Sequence, residues 1–355
     1  MPLRSVCYFA ALFVVPLVAS QENWKPIAVA STHLAVTNDS IYLMATPNPG
    51  AAVPYGLELM QWTNGTIRTT PLLQSTGQDI YHGIGIGQSL NGDLYIACAH
   101  NIRTAGPSTV YEIYRVNVDN QLGTLLWKSQ AIMPIKFVVS PQGYICILGV
   151  TTSSYVRTQP YLSNPSLLLH IVDNRGTLIK SLLPVSLSRP SDALSLALNG
   201  IISARSNGNF VVTFNPNMSM KFHADNLISK NVIEYTSSGT IWKSHEFSGI
   251  PEGAVVQSAV FDERENLVAQ FSVWKEIKGA IHPAGGLLGV ADQIGPAFAW
   301  KEGVLVKEFK DTSSQTIISR LTSHEILMGI LGDGTFLLFC PLQIAQPAML
   351  KFKRF

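Results

Sequence analysis

One short pattern recurs along this chain and constrains its fold more than any single residue. It reads Gly65-Thr66-Ile67-Arg68, Gly123-Thr124-Leu125-Leu126-Trp127-Lys128-Ser129, Gly176-Thr177-Leu178-Ile179-Lys180-Ser181, Gly239-Thr240-Ile241-Trp242-Lys243-Ser244 and Gly303-Val304-Leu305-Val306-Lys307. Each copy follows an apolar run that ends in polar turn residues. A strand, a glycine turn and a second strand form a hairpin signature. Its return at long, fairly even spacing marks a repeat protein.

A second repeated unit lies upstream of the first. A turn rich in Asn, Gly and Asp precedes a strand of β-branched and aromatic residues. Examples are Asn91-Gly92-Asp93 before Leu94-Tyr95-Ile96-Ala97, and Asp333-Gly334 before Thr335-Phe336-Leu337-Leu338-Phe339. Counted on Ser40, Gly92, Gly143, Gly208, Asn266 and Gly334, the copies stand roughly 50 to 70 residues apart. Each unit holds four strands: one before the turn, one after it, a third beyond a long loop, and the Gly-Thr strand. The expected fold is all-β, a six-bladed β-propeller of four-stranded antiparallel blades. In the sixth unit Ala348-Met349-Leu350-Lys351-Phe352 supplies a third strand, and then the sequence ends. Trp24-Lys25-Pro26-Ile27-Ala28-Val29 has no other assignment, so pairing of the N- and C-terminal strands is expected to close the ring and hide its edge.

Composition agrees with a packed core. Hydrophobic residues are 46% and charged residues 14% of 355, with a formal net charge of +2. This excludes disorder and gives no electrostatic reason to expect nucleic acid as a partner. Arg4 precedes an apolar run to Val18, followed by Ala19 and Ser20, which reads as a secretory signal peptide over 1–20. Residues 21–355 then form a single propeller domain, secreted or periplasmic. No later apolar stretch reaches ~18 residues, so no stable membrane insertion is expected after cleavage. Cys98, Cys146 and Cys340 sit in apolar β-type runs and are expected as buried thiols rather than a disulfide framework. Asn38, Asn64 and Asn217 each open a glycosylation triplet.

On the Asn/Gly turns, the aromatic β-strands and Val172-Asp173-Asn174-Arg175-Gly176-Thr177, the chain resembles the six-bladed propellers of the NHL-repeat and gluconolactonase-like class. The resemblance covers nearly the whole chain after residue 20 and concerns architecture. It implies a metal held by carboxylates and an Asn from different blades wherever the lactonase chemistry is present.

Tight turns alternate with long loops, so the long loops gather on one face. Function is expected there, around the central channel. His82, Asp192, Gln257 and Arg320 stand where innermost strands are expected to begin, and with Tyr81 and His223 they form the candidate ligand-binding set. The function expected is binding of a protein partner or a small organic ligand, with no cofactor. The alternative is a metal-dependent hydrolase or lactonase at the channel mouth, with Asp192, Glu252 and His82 as candidate catalytic groups, Asp79 nearby, and calcium or zinc as the metal. No His-Glu-x-x-His, Cys-x-x-Cys pair, calcium loop or Gly-x-Ser-x-Gly elbow supports an enzyme directly. Gly83-Ile84-Gly85-Ile86-Gly87 lacks nucleotide-loop spacing and reads as a flexible innermost strand.

Overall fold

The computed structural model describes residues 27–28, 34–36, 40–45, 57–63, 66–73, 79–102, 108–116, 123–151, 154–156, 159–161, 166–184, 192–214, 232–250, 254–277, 297–309, 315–321, 325–340 and 349–354. Residues 1–20, Glu252, His223 and the three glycosylation triplets' asparagines lie outside them.

After β1 (Ile27–Ala28) come six four-stranded antiparallel sheets. The first holds β2 (Leu34–Val36), β3 (Ser40–Ala45), β4 (Leu57–Thr63) and β5 (Thr66–Leu73). The second holds β6 (Asp79–Gln88), β7 (Leu94–Ile102), β8 (Ser108–Val116) and β9 (Gly123–Ser129). The third begins with β10 (Ile132–Val139) and β11 (Ile145–Thr151). A small two-stranded sheet of β12 (Ser154–Val156) and β13 (Gln159–Tyr161) follows, where the sequence reads as a plain loop. The third sheet then resumes with β14 (Leu167–Val172) and β15 (Leu178–Leu182).

Helix α1 (Asp192–Asn199) leads into the fourth sheet: β16 (Gly200–Ala204), β17 (Phe210–Phe214), β18 (Val232–Tyr235) and β19 (Ile241–His245). The fifth holds β20 (Ala254–Phe261), β21 (Leu267–Ile277), β22 (Ala297–Glu308) and β23 (Gln315–Leu321). In the sixth, β24 (Ile326–Ile330), β25 (Phe336–Cys340) and β26 (Met349–Lys353) are joined by β1, with Ile27 opposite Leu350 and Ala28 opposite Met349. Among the described residues no helix is long and apolar enough to cross a membrane.

Both faces of these sheets are buried, which explains strands with little polar alternation. Along β3, Tyr42 and Met44 pack toward the second sheet while Ile41 and Leu43 pack toward the sixth. Further apolar clusters join the second sheet to the third, the third to the fourth, the fourth to the fifth and the fifth to the sixth. Trp62 and Phe352 meet across the junction of first and sixth sheets with ring centroids 5.5 Å apart. Cys98, Cys146 and Cys340 are buried free thiols within these layers, and burial pushes all three up from the ordinary thiol value.

The glycines of β6 serve close approach rather than flexibility. A Cβ on Gly83 would stand 2.6 Å from Met44 of the first sheet, and one on Gly87 would stand 2.6 Å from Val139 of the third. The turn glycines have another cause. Gly92, Gly143, Gly208 and Gly334 close the turns between first and second strands with φ of +81 to +89°, a region other residues avoid. In the fifth sheet that position is Glu265, with φ 66°.

Three sequence expectations are corrected. The Gly303 copy is not an outermost strand. Trp274 to Ile277 extend β21 and pair with Ala297 to Trp300, so Lys301-Glu302 continues β22 instead of turning, and Gly303 to Lys307 lie in the third strand. Arg320 therefore falls in β23, opposite Val304, on the outermost strand of the fifth sheet rather than at the start of the sixth sheet's innermost strand. Asp192 opens α1 instead of lying in a loop: the run Asp192-Ala193-Leu194-Ser195-Leu196-Ala197 places Ala193, Leu196 and Ala197 at helical spacing on the third and fourth sheets' core.

Gly87→Ala is expected to destabilise the fold by about 1–3 kcal/mol through overpacking against Val139. In denaturant unfolding, combining it with Val139→Ala should cost less than the sum of the two single changes.

Candidate functional site

First strands from all six sheets line a single cavity of about 660 Å³. Ala35 represents β2; Ile84 to Gln88, β6; Ile135 to Val139, β10; Gly200 to Ala204, β16; Gln257 to Phe261, β20; and Ile326 to Ile330, β24. The volume lies in the range of small-molecule sites.

Backbone irregularity helps shape this wall. The pairing of first and second strands slips by one residue between Gly83 and Gly85, Pro134 and Lys136, Val256 and Ser258, and Leu327 and Gly329. The extra residues are Ile84, Ile135, Gln257 and Met328, and all four line the cavity. A bulge re-aims side chains, and here it does so at corresponding places in four sheets.

Three of those residues are apolar; Gln257 is polar. Its Oε1 accepts from the Ser272 hydroxyl, which fixes the amide in the wall. Ser258 donates to the Leu327 carbonyl, and the fully buried Gln270 clamps the sixth sheet by donating to the Glu325 carbonyl (2.6 Å) and accepting from Leu327 N–H (2.8 Å). The wall of β20 is thus held rigidly against β24.

Lys136 is the one charged residue on this wall among the described residues. In β10, Phe137 and Val139 pack toward the second sheet and Val138 toward the fourth, so alternation puts Lys136 on Val138's face. No hydrogen bond or ion pair engages its ammonium among the described residues, and burial holds it below the usual lysine value.

The expected site residues distribute unevenly. Gln257 lines the cavity. His82 is exposed on β6, opposite Ala99. Tyr81 points to the other face, stacked on His100 with centroids 4.3 Å apart. His100 lies within β7, not in a loop, and its Nδ1 is 3.2 Å from Glu112 Oε2. Tyr114 donates to that same oxygen at 2.7 Å. This cluster sits between first and second sheets, outside the cavity wall. Arg320 is on the outer strand, Asp79 begins β6 and Asp192 begins α1. Among the described residues no three His, Cys, Asp or Glu side chains converge as metal ligands.

The main concentration of buried charge ties the fourth sheet to the fifth. Arg205 donates to both Glu234 oxygens (2.9 and 3.0 Å) and to the Glu265 carbonyl (3.0 Å), and it lies over the Trp242 and Phe261 rings. Asn209 Nδ2 donates to Glu234 Oε1 at 2.8 Å. His245 bridges Glu234 (2.7 Å) and Glu308, while Lys243 donates to Glu308 at 2.8 Å. Burial alone would lower His245, but the two carboxylates overcome it and hold the imidazolium above its ordinary value. Burial would likewise raise Glu234 and Glu308, but hydrogen bonds from His245 and their other donors hold both below it.

Lys136 and this network escaped the sequence reading. The available signal was a charge inside an apolar strand: Lys136 in Ile132-Met133-Pro134-Ile135-Lys136-Phe137, and Glu234 in Val232-Ile233-Glu234-Tyr235.

No protein-family model matches the chain, and no curated protein sequence does. Among solved structures it is similar to a gluconolactonase from Xanthomonas campestris, with 10% identity, 94% of this chain and 91% of that one covered, and TM-score 0.47. It is also similar to the Dos1 propeller (10%, 94% and 95%, TM-score 0.43). A third similarity is to TolB from Acinetobacter baumannii (11%, 89% and 64%, TM-score 0.42).

The network's stability should depend on pH in a set direction. The His245 contribution is complete below the ordinary histidine value of about 6.5 and fades as pH rises through its raised folded value. The Glu234 and Glu308 contributions are complete above about 4.3 and fade on acidification through their lowered values. Thermal melts should therefore show a melting temperature higher near pH 5.5 than at pH 8.5 or pH 3. His245→Gln should flatten the alkaline limb, and Glu234→Ala should destabilise by roughly 3–5 kcal/mol by stranding buried cations.

Proposed function

We propose that the six sheets are the blades of one closed propeller, exported after loss of residues 1–20, and that it works as a binding module for a small organic ligand held in its central cavity. The observation that carries this reading is the convergence of all six first strands on one cavity of about 660 Å³. Its wall is largely aliphatic, with a few fixed polar groups such as Gln257, which is the make-up of a small-molecule site. Pairing of β1 with β26 supports closure, because it completes the sixth sheet with a strand from the opposite end of the chain. Rigid walls favour binding, since little ordering is left to oppose it. The lactonase reading rests on Asp192, which α1 carries, on His82, exposed on β6, and on Glu252, outside the described residues.

A neutral apolar dye tests this directly. N-phenyl-1-naphthylamine should bind the full chain at one equivalent, with a fluorescence gain. Ser203→Trp, which fills the cavity from β16, should remove at least nine-tenths of that signal with the melting temperature kept within a few degrees. Binding unchanged in Ser203→Trp would overturn the cavity reading. A lactone hydrolysis lost on chelation and restored by calcium or zinc would replace it with the metal-dependent one.

A further inference from the structure

We propose that Lys136 is the anchor for a singly charged organic anion, so that the cavity takes small amphiphilic acids, with the acid group on the Lys136 ammonium and the apolar body along the aliphatic wall. The inference rests on the cavity being the ligand site and adds the ligand's chemical class.

Three observations lead to it. First, the cavity wall contains no Asp or Glu among the described residues, and Lys136 is its single formal charge. Second, the ammonium has neither ion pair nor hydrogen bond among those residues, while six Lys or Arg contacts elsewhere among the described residues are met by acids: Arg205 by Glu234, for example, and Lys307 by Asp262 at 2.7 Å. A desolvated cation without a counter-charge destabilises the fold, and an anionic ligand removes that penalty on binding. Third, the surroundings select the kind of anion. Ile135, Val138, Ile202 and Met328 offer apolar contact around the cavity, which suits a molecule with a hydrocarbon or aromatic body. One cation matches one negative charge; a doubly charged phosphate ester would bring a second charge into an apolar wall with nothing to meet it. The Gln257 amide, fixed by Ser272 on the bulge of β20, offers a further polar contact.

Burial also explains why a lysine serves here. Its compact ammonium on a long apolar stem can extend or retract as the ligand enters, whereas a planar guanidinium calls for a two-oxygen partner.

The test uses two probes that share an apolar body and differ in charge: 1-anilinonaphthalene-8-sulfonate, an anion, and neutral N-phenyl-1-naphthylamine. Both are titrated into the full chain, wild type, Lys136→Met and Lys136→Arg, with melting temperatures measured alongside. Lys136→Met should weaken the anion by about 10- to 100-fold, the range of a charge-assisted contact, and leave the neutral probe within twofold. Lys136→Arg should keep anion binding within about fivefold. Its melt reports folding independently if Lys136→Met fails to fold, and retained preference for the anion in Lys136→Gln would then count against the anchor. If the anion binds Lys136→Met as tightly as wild type while the neutral probe also binds, the anchor is wrong and the cavity reading stands. If neither probe binds wild type, the cavity reading falls and the anchor with it. A neutral probe preferred over the anion by the wild type would also overturn the anchor.

Discussion

Burial on two sides governs this structure. Each four-stranded sheet has a neighbour on either face, so a residue pointing up and a residue pointing down both leave water. Alternation along a strand then distributes contacts between two neighbours instead of between core and solvent. Ile41 and Leu43 serve one junction while Tyr42 and Met44 serve the other. Such packing draws its stability from the hydrophobic effect at every junction. It also leaves polar side chains with few places: the turns, the loop ends, the outermost strands, an internal network or the cavity.

The cavity follows from the same constraint. Twisted sheets packed face to face leave space where their first strands converge. The bulges at Ile84, Ile135, Gln257 and Met328 then set what projects into that space. The first and fourth sheets, by contrast, pair their first two strands in regular register. The wall is accordingly uneven: its polar side chains, Gln88, Lys136, Ser203, Gln257 and Ser258, come from β6, β10, β16 and β20, and none comes from β2 or β24 among the described residues.

Much of this architecture was legible in the sequence, because turn and strand chemistry repeat. The polar turns, most of them containing glycine, announced the first hairpin of each unit, and the missing strand of the sixth unit pointed to Ile27 as partner for Leu350. The errors came where local similarity concealed different pairing. Lys301-Glu302-Gly303 looks like the other turn-glycine sites, yet the long β21 gives it a partner strand and keeps it extended. That single misreading carried Arg320 to the wrong strand. Asp192 was misplaced because the eight-residue α1 is too short to show a strong helical period among apolar β runs. Tyr81 and His82 are adjacent in sequence but stand on opposite faces of β6, so proximity in the chain could not tell which one meets His100. Lys136 was hidden for a different reason: a strand register decides which face a lysine takes, and the bulge at Ile135 changes that register.

Two cations, one buried and one half-buried, show what the fold does with charge. Arg205 is enclosed by the Glu234 carboxylate, the Glu265 side chain and carbonyl, and two aromatic rings. When His245 is protonated, its charge and those of Arg205 and Lys243 equal the three negative charges of Glu234, Glu265 and Glu308. That arrangement is self-contained and holds two sheets together. Lys136 is placed among aliphatic side chains at the edge of a cavity with no acid on its wall. A chain that matches charges so closely in one interface has the means to match them in another. Among the described residues the Lys136 ammonium has no partner, so the packing of the sheets alone gives that position no role.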